Sequence, residues 1–511
     1  MRNQKMSGLR ARWCVCAVAL VGACAMGPMA CAAHAHTYYV STSGNDSNAG
    51  TISHPWRTVQ HAANTVQAGD TVFARAGVYN EAVNIPSSGS GAAGYITFST
   101  YPGELATLDG TGLSVPEGQY GLFTIGSQSY IVINGFEMRN YSTSSAKSVP
   151  LGIWIFGAGT NVHITNNHIH DIVTTAKGCK GNAFGLTVYG TEAPAAIENL
   201  VISGNEVDHL TTGCSESLSV DGNVENFQIT NNLVHDNNNI GIDAIGFEGV
   251  SPDPAYDQAR NGLISGNTVY NITSYGNPAY GNQYAADGIY VDGGTQIVVE
   301  RNLIHNVDLG IEMASEHADH YSSYIIARNN VVYDDNSNGI SIGGYANKVG
   351  GTQNCTIVNN TLFHNDTKKT GSGEFQIQFH ATGNIFENNI LFATEQALLV
   401  NSFTKSTPDP ATLDYNLYFS PVAASKAIWN WVGKTYTGYS AYLAATGNDS
   451  HSPPYSNPKF VDQGTLNFDI KAGSPAENAG ANLGAAVVGT LDFAGNPRTE
   501  DGQINIGAYE K

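Results

Sequence analysis

Short runs of alternating apolar and polar residues recur through the middle of the chain, each passing through an Asn. They read HITNNHIHD, VISGNEVDH, QITNNLVHD, LISGNTVYN, VVERNLIHN, IARNNVVYD, TIVNNTLFH and IFENNILFA, and the shared residue is Asn167, Asn205, Asn232, Asn267, Asn302, Asn330, Asn360 and Asn389. The spacing runs from 27 to 38 residues. Alternation with period two marks a half-buried strand. A repeat of this length predicts a solenoid whose units bury their apolar faces only against one another. Asn side chains stacked at one turn can hydrogen-bond from coil to coil, so these Asn are predicted to be structural.

A second strand accompanies each turn: GIWIFG, GLTVYG, SLSVDG, GIDAIG, GIYVDG, GIEMAS, GISIGG and EFQIQF. Alternation points Ile, Leu and Val inward and leaves two outward columns. The first is Trp154, Thr187, Ser219, Asp243, Tyr290, Glu312, Ser341, Gln376; the second is Phe156, Tyr189, Asp221, Ile245, Asp292, Ala314, Gly343, Gln378. Most of these positions are uncharged, yet Asp221, Asp243, Asp292 and Glu312 fall on consecutive coils. Coils stack about 4.8 Å apart, so the four acids are expected to share one exposed face. Glu248, Glu316 and His317 lie just past the same strands. Crowded like charges need a proton, a cation or a function. Two insertions flank this face, 249–258 with Tyr256 and 273–287 with Tyr275, Tyr280 and Tyr284. Long loops on a solenoid commonly border the working surface. Together with Asp221, Tyr290, Glu316 and His317, the rings of Tyr256, Tyr280 and Tyr284 are candidates for holding a substrate.

The ends differ from the repeats. A turn-rich start and a short helix over 55–66 predict a cap and the first coils within 36–110, followed by repeats over 111–405. An irregular connecting segment is expected over 406–455, between Pro408-Asp409-Pro410 and Ser452-Pro453-Pro454, and a small β module over 456–511 that closes the stack.

Composition adds an address. Arg2, Lys5, Arg10 and Arg12 precede a short apolar run and Ala33-His34-Ala35, the layout of a signal peptide over 1–35. A lipoprotein signal ending at Cys24 is the alternative. The apolar run is too short to span a bilayer. A secreted or periplasmic protein, and a monomer, is expected. Loss of the leader leaves 19 basic against 43 acidic residues, a net charge of −24. Nucleic acid and anionic membranes are excluded as easy partners, and an oligo- or polysaccharide, most readily a neutral one, is favoured. Of seven Cys, Cys179, Cys214 and Cys355 survive processing. Cys179 and Cys214 hold similar places in consecutive repeats, which makes a disulfide plausible and leaves Cys355 as a buried thiol. No metal-binding Cys spacing occurs.

The opening segment, residues 38–81, resembles that of pectate-lyase-like β-helix proteins, and the INIGAYE ending resembles a module of bacterial exported β-helix proteins. The resemblance implies an all-β, right-handed parallel β-helix. That fold hosts lyases, hydrolases, epimerases and adhesins. The segment HDNNNIGIDAIGFEG, residues 235–249, is similar to the active-site region of β-helix lacto-N-biosidases, glycoside hydrolases with two Asp seven residues apart; Asp236 and Asp243 have that spacing. The repeat offers a second explanation of Asp236, because Asp171, His209, Asn271, Asn306, Asp334 and His364 occupy the same turn position.

A glycosidase needs two carboxyl groups, about 5 Å apart for retention or roughly 6.5–9.5 Å for inversion. Strand geometry sets the Cα atoms of Asp243 and Asp292 on the order of 8 Å apart, and those of Asp243 and Glu312 on the order of 10 Å. A glycoside hydrolase with Asp243 as first catalytic carboxylate is therefore expected, without a cofactor; Asp236, Asp292, Glu312 and Glu248 are candidate partners. A β-eliminating lyase needs a base, often Lys or Arg, and neither outward column holds one. A Ca²⁺-dependent polysaccharide lyase stays open, since acids supply oxygen ligands, as does a non-catalytic, glycan-binding adhesin.

Overall fold

The computed structural model describes residues 35–499 and 501–510. All of the expected leader except Ala35 lies outside the described residues. Three sheets of 13, 12 and 13 strands, parallel except for the last strand of the third, run the length of the molecule, and consecutive coils supply neighbouring strands to each. One coil shows the plan. Gln228–Thr230 lies in the first sheet, the chain turns at Asn232, Leu233–His235 enters the second, and Ile242–Ile245 enters the third. The inward column of the third sheet is Ile153, Leu186, Leu218, Ile242, Ile289, Ile311, Ile340 and Phe375, each paired with the next. All eight are inaccessible to solvent. Such a parallel β-helix needs no local motif beyond apolar residues at alternate positions and a turn that can be repeated.

The turns repeat because of the Asn column. Asn232 donates from its backbone N–H and Nδ2 to Oδ1 of Asn267, at 2.9 and 3.0 Å. The same Nδ2 also donates to the Ile202 carbonyl, at 3.0 Å. The arrangement recurs from Asn167 to Asn389 and continues to Asn416, which ends on Asp449. Each buried amide is satisfied by its neighbour, a requirement for any polar group in a core. The polar residue that follows the second-sheet strand also has a backbone cause. Asp171, His209, Asp236, Asn271, Asn306, Asp334 and His364 all adopt φ between 51° and 58°, a region in which Asn, Asp and His are enriched.

The ends depart from expectation in two ways. The cap helix forms over Val59–Thr65, with Thr58 accepting from the His61 N–H, and Thr37–Val40 pairs with Thr71–Ala74 in the first sheet. Segment 406–455 is not irregular. Ala411–Asp414, Leu417–Phe419 and Ile428–Trp431 add a full coil to the three sheets, and Lys434–Thr437 and the helix Tyr439–Thr446 follow. Pro408, Pro410 and Pro421 sit in connections between its strands, and Pro453 and Pro454 follow the helix, ahead of the C-terminal module. The module expected to close the stack instead folds back along its side. Phe460, Phe468, Ile470, Ile506 and Ala508 cover Tyr333, Phe363, Ile390 and Phe392 on the outer face of the second sheet. The Arg328 side chain donates to the carbonyls of Ala486 and Val487 at 3.0 and 3.1 Å, and Asn359 to that of Asn505 at 3.0 Å, tying the module down.

Candidate functional site

The outward column of the third sheet has the register expected: Trp154, Thr187, Ser219, Asp243, Tyr290, Glu312, Ser341 and Gln376 pair in turn. The face is not exposed, however. Asp221, Asp243, Asp292 and Glu312 are 3, 2, 5 and 8% accessible. They are buried because the segments between strands fold over them. The loop 273–287 is held at its base by Asp308, whose Oδ2 accepts from the backbone of Ser274, Ala285 and Ala286 at 2.8–3.1 Å. It is pinned by Asn277, which donates to the carbonyls of Gly213 and Asn238 at 2.8 Å. The loop 249–258 is closed by Asp257, which accepts from Gly249 and Ser251 N–H at 2.6 and 2.8 Å. A disulfide between Cys179 and Cys214, Cα atoms 4.8 Å apart, fixes a third wall, and Cys355 is a buried thiol.

These walls enclose a cavity of about 300 Å³. Six carboxylates line it: Glu216, Asp221, Asp243, Glu248, Asp292 and Glu316. Tyr189, Tyr280, Tyr290 and Phe184 supply its rings. No Lys, Arg or His among the described residues lines it. Burial and then the charge of its neighbours dominate the electrostatics. Burial, followed by the charges of Glu216, Asp292, Asp287 and Asp221, holds the Asp243 carboxyl well above the usual range. Asp221 and Asp292 are raised for the same two reasons. Burial pushes Glu216 up to about 8, with repulsion from Glu248 and Glu316 adding to it against hydrogen bonds from its own backbone and Ser219. Asp221 Oδ1 and Asp243 Oδ1 are buried without a hydrogen-bond partner among the described residues. A carboxylate in that condition keeps a proton or meets a ligand.

The candidates separate into groups. Asp221, Asp243, Glu248, Asp292, Glu316, Tyr280 and Tyr290 are brought together in the cavity. Glu316 donates its N–H to Asp292 Oδ1 at 2.9 Å. His317 stands behind Glu248, its Nε2 2.9 Å from Oε1. Glu312 lies outside the lining and accepts from Gln378 Nε2 at 2.6 Å; burial pushes it up to about 7, against a hydrogen bond with Asp287. Tyr256 is half-buried outside the lining. Asp236 is not beside Asp243 at all. It belongs to the turn after the second sheet and lines a separate groove of about 530 Å³ with Tyr275 and Tyr284, whose rings stack at 5.1 Å. Seven residues that cross from one sheet to the next cannot keep two side chains on one face. Two acids escaped the sequence reading, Glu216 and Asp287. Glu216 precedes the strand Leu218–Gly222 and Asp287 opens the strand Asp287–Asp292, both ahead of the two outward columns, so a search confined to those columns passes over them.

The sequence and the fold have relatives. Residues 38–191 match the family model of the Pel9A-like, right handed beta helix region, and 151–349 match that of the right handed beta helix region. YwoF of Bacillus subtilis (strain 168) is 39% identical over 439 residues, spanning 86% of this chain and 91% of its own. Among solved structures, XylC in complex with xylose superposes with a TM-score of 0.57 at 13% identity, covering 93% of this chain and 98% of its own. Pectate lyase Pel9A gives a TM-score of 0.50 at 15% identity, covering 93% and 96%. No helix among the described residues is long and apolar enough to cross a membrane. On its sequence, the chain belongs to the family of right-handed β-helix proteins that includes Bacillus subtilis YwoF.

Proposed function

We propose that the protein is an exported glycoside hydrolase whose chemistry is carried out by the carboxylates of this cavity. The observation that carries the reading is the lining itself: six carboxylates beside tyrosine rings, with no Lys, Arg or His among the described residues. Glycosidic cleavage needs a carboxyl that is protonated at working pH and a second that is ionised. Asp243, buried and surrounded by acids that hold its proton in place, donates to the leaving oxygen. Glu248 is 43% exposed at the side chain, with Oε1 2.9 Å from the His317 imidazole, and it serves as nucleophile or base. Ionising Asp243 beside Glu216, Asp221 and Asp292 would crowd like charges into one buried cavity, which keeps its proton in place. Tyr280 and Tyr290 offer ring faces and hydroxyls to a sugar. The strong net negative charge favours neutral glycans. The fold-level neighbours support a carbohydrate substrate by name, one solved with xylose and one a pectate lyase.

The second reading is a Ca²⁺-dependent polysaccharide lyase, favoured by the match of residues 38–191 to the Pel9A-like model. The oxygen-only donors of Asp221, Asp243, Asp292 and Glu316, two of them with an unpartnered buried oxygen, fit a hard cation. Bound there, Ca²⁺ would offset the charge of a uronate. Against this reading stands the lack of a Lys or Arg base in the lining. Incubation with a panel of neutral and uronate-containing glycans decides. New reducing ends, no ultraviolet-absorbing unsaturated uronate and indifference to EDTA are expected. An unsaturated product lost on chelation establishes the lyase, and binding without cleavage of any glycan establishes an adhesin.

A further inference from the structure

Three consecutive coils place a second set of ionisable side chains on the outer face of the second sheet, away from the acidic cavity. The strands are His168–Thr174, Glu206–Asp208 and Leu233–His235. His168 stacks over Glu206, His170 over Asp208, and Asp208 over His235. His168, Glu206 and Asp208 each offer a ligand atom within 4.8 Å of the others. His168 Nε2 lies 2.8 Å from Asp208 Oδ2. His235 Nε2 lies 3.2 Å from Glu206 Oε1 and 3.6 Å from Asp208 Oδ2. A tetrahedral zinc ion with bonds of 2.0–2.2 Å requires ligand atoms about 3.3 Å apart; His168, Glu206 and Asp208 converge as they stand, and His235, near Glu206 and Asp208, would close on the ion as the fourth ligand.

We propose that His168, Glu206, Asp208 and His235 form a binding site for a first-row divalent transition metal, with zinc as the best fit. Two neutral imidazoles and two carboxylates are the borderline donors zinc accepts, and they balance its charge. The surroundings match what a metal site needs behind its ligands. His235 Nδ1 is 2.7 Å from Asp236 Oδ2, and Asp236 Oδ1 accepts from Asn271 Nδ2 at 2.9 Å. That carboxylate–imidazole pair fixes the tautomer leaving Nε2 free to ligate. Asp208 Oδ1 is held by His209 Nδ1 at 2.7 Å, leaving Oδ2 for the metal. His170 is engaged with Glu137 and Asp171, at 3.1 and 2.7 Å, and forms with Glu137 and His168 an overlapping group that shares only His168 with this one. Side chains of His168 and Glu206 are 40 and 43% exposed, so an ion can enter from solvent. Asp236 thereby gains a role as a positioning residue, outside the acidic cavity.

The test is a calorimetric titration of EDTA-treated full-length protein with zinc chloride, in excess calcium chloride to occupy the acidic cavity. One zinc per chain is expected. Affinity should fall at least ~100-fold in His168→Gln and in His235→Gln, and ~10–100-fold in Asp236→Asn, while Asp243→Asn binds zinc as the wild type does. Cobalt in place of zinc should show the visible absorption of a four-coordinate site, lost in His168→Gln. No stoichiometric zinc, zinc binding that survives both His variants, or binding lost in Asp243→Asn overturns the proposal. Should the buried His235→Gln fail to fold, the exposed His168→Gln decides alone.

Discussion

Replacing Glu216 with Gln removes one charge from the cavity at almost constant volume. In the folded protein burial holds Glu216 at about 8 against an ordinary 4.5. Between these values the folded chain keeps a proton that the unfolded chain has released, so wild-type stability falls as pH rises through the window. The slope is at most ~1.4 kcal/mol per pH unit, which sums to no more than ~5 kcal/mol above pH 8. Glu216 retains some solvent contact, which screens part of the cost, and ~2–4 kcal/mol is expected. Glu216→Gln cannot ionise. Urea unfolding of both proteins should give nearly equal stabilities at pH 4, a variant more stable by ~1–2 kcal/mol at pH 6, and the full ~2–4 kcal/mol gain at pH 9. A difference that does not change with pH, or a variant less stable at pH 9, refutes the placement of a destabilised carboxylate in this cavity.

Asn267→Ala interrupts the turn column. It leaves the backbone N–H and Nδ2 of Asn232 without their acceptor, now at 2.9 and 3.0 Å, and the Ile229 carbonyl without its donor. At ~1–3 kcal/mol for each orphaned buried group, a loss of ~3–5 kcal/mol in urea unfolding is expected, and a loss below ~1 kcal/mol contradicts the structural role. The disulfide closes a loop of 35 residues, for which chain entropy gives ~3–4 kcal/mol. Cys179→Ser/Cys214→Ser should lose about that much and, unlike the wild type, show no further loss with reductant.

The periodic parts of the molecule were legible. Alternation in the third-sheet strands set the partners of Asp243, Ser219 above and Tyr290 below, because a strand's faces follow from parity alone. The Asn column was legible because each coil repeats the same buried amide. What the non-periodic segments do was not. No repeat encodes how 273–287 and 249–258 fold back, so four acids expected at the surface are buried. Asp236 shows the limit of linear spacing, since the turn between it and Asp243 changes sheet. The lateral docking of the C-terminal module did leave a signal. In NNVVYD, TLFH and ILFA, Tyr333, Phe363 and Phe392 stand at outward positions, and such an apolar stripe requires a cover.

Glycan cleavage by carboxylates at Asp243 is tested most directly by Asp243→Asn, assayed on whichever glycan the wild type cuts, with circular dichroism to confirm the fold. A fall in kcat of ~10²–10⁴-fold with an unchanged spectrum is the expected result. Full activity in the folded variant would contradict the assignment of the cavity as the catalytic centre.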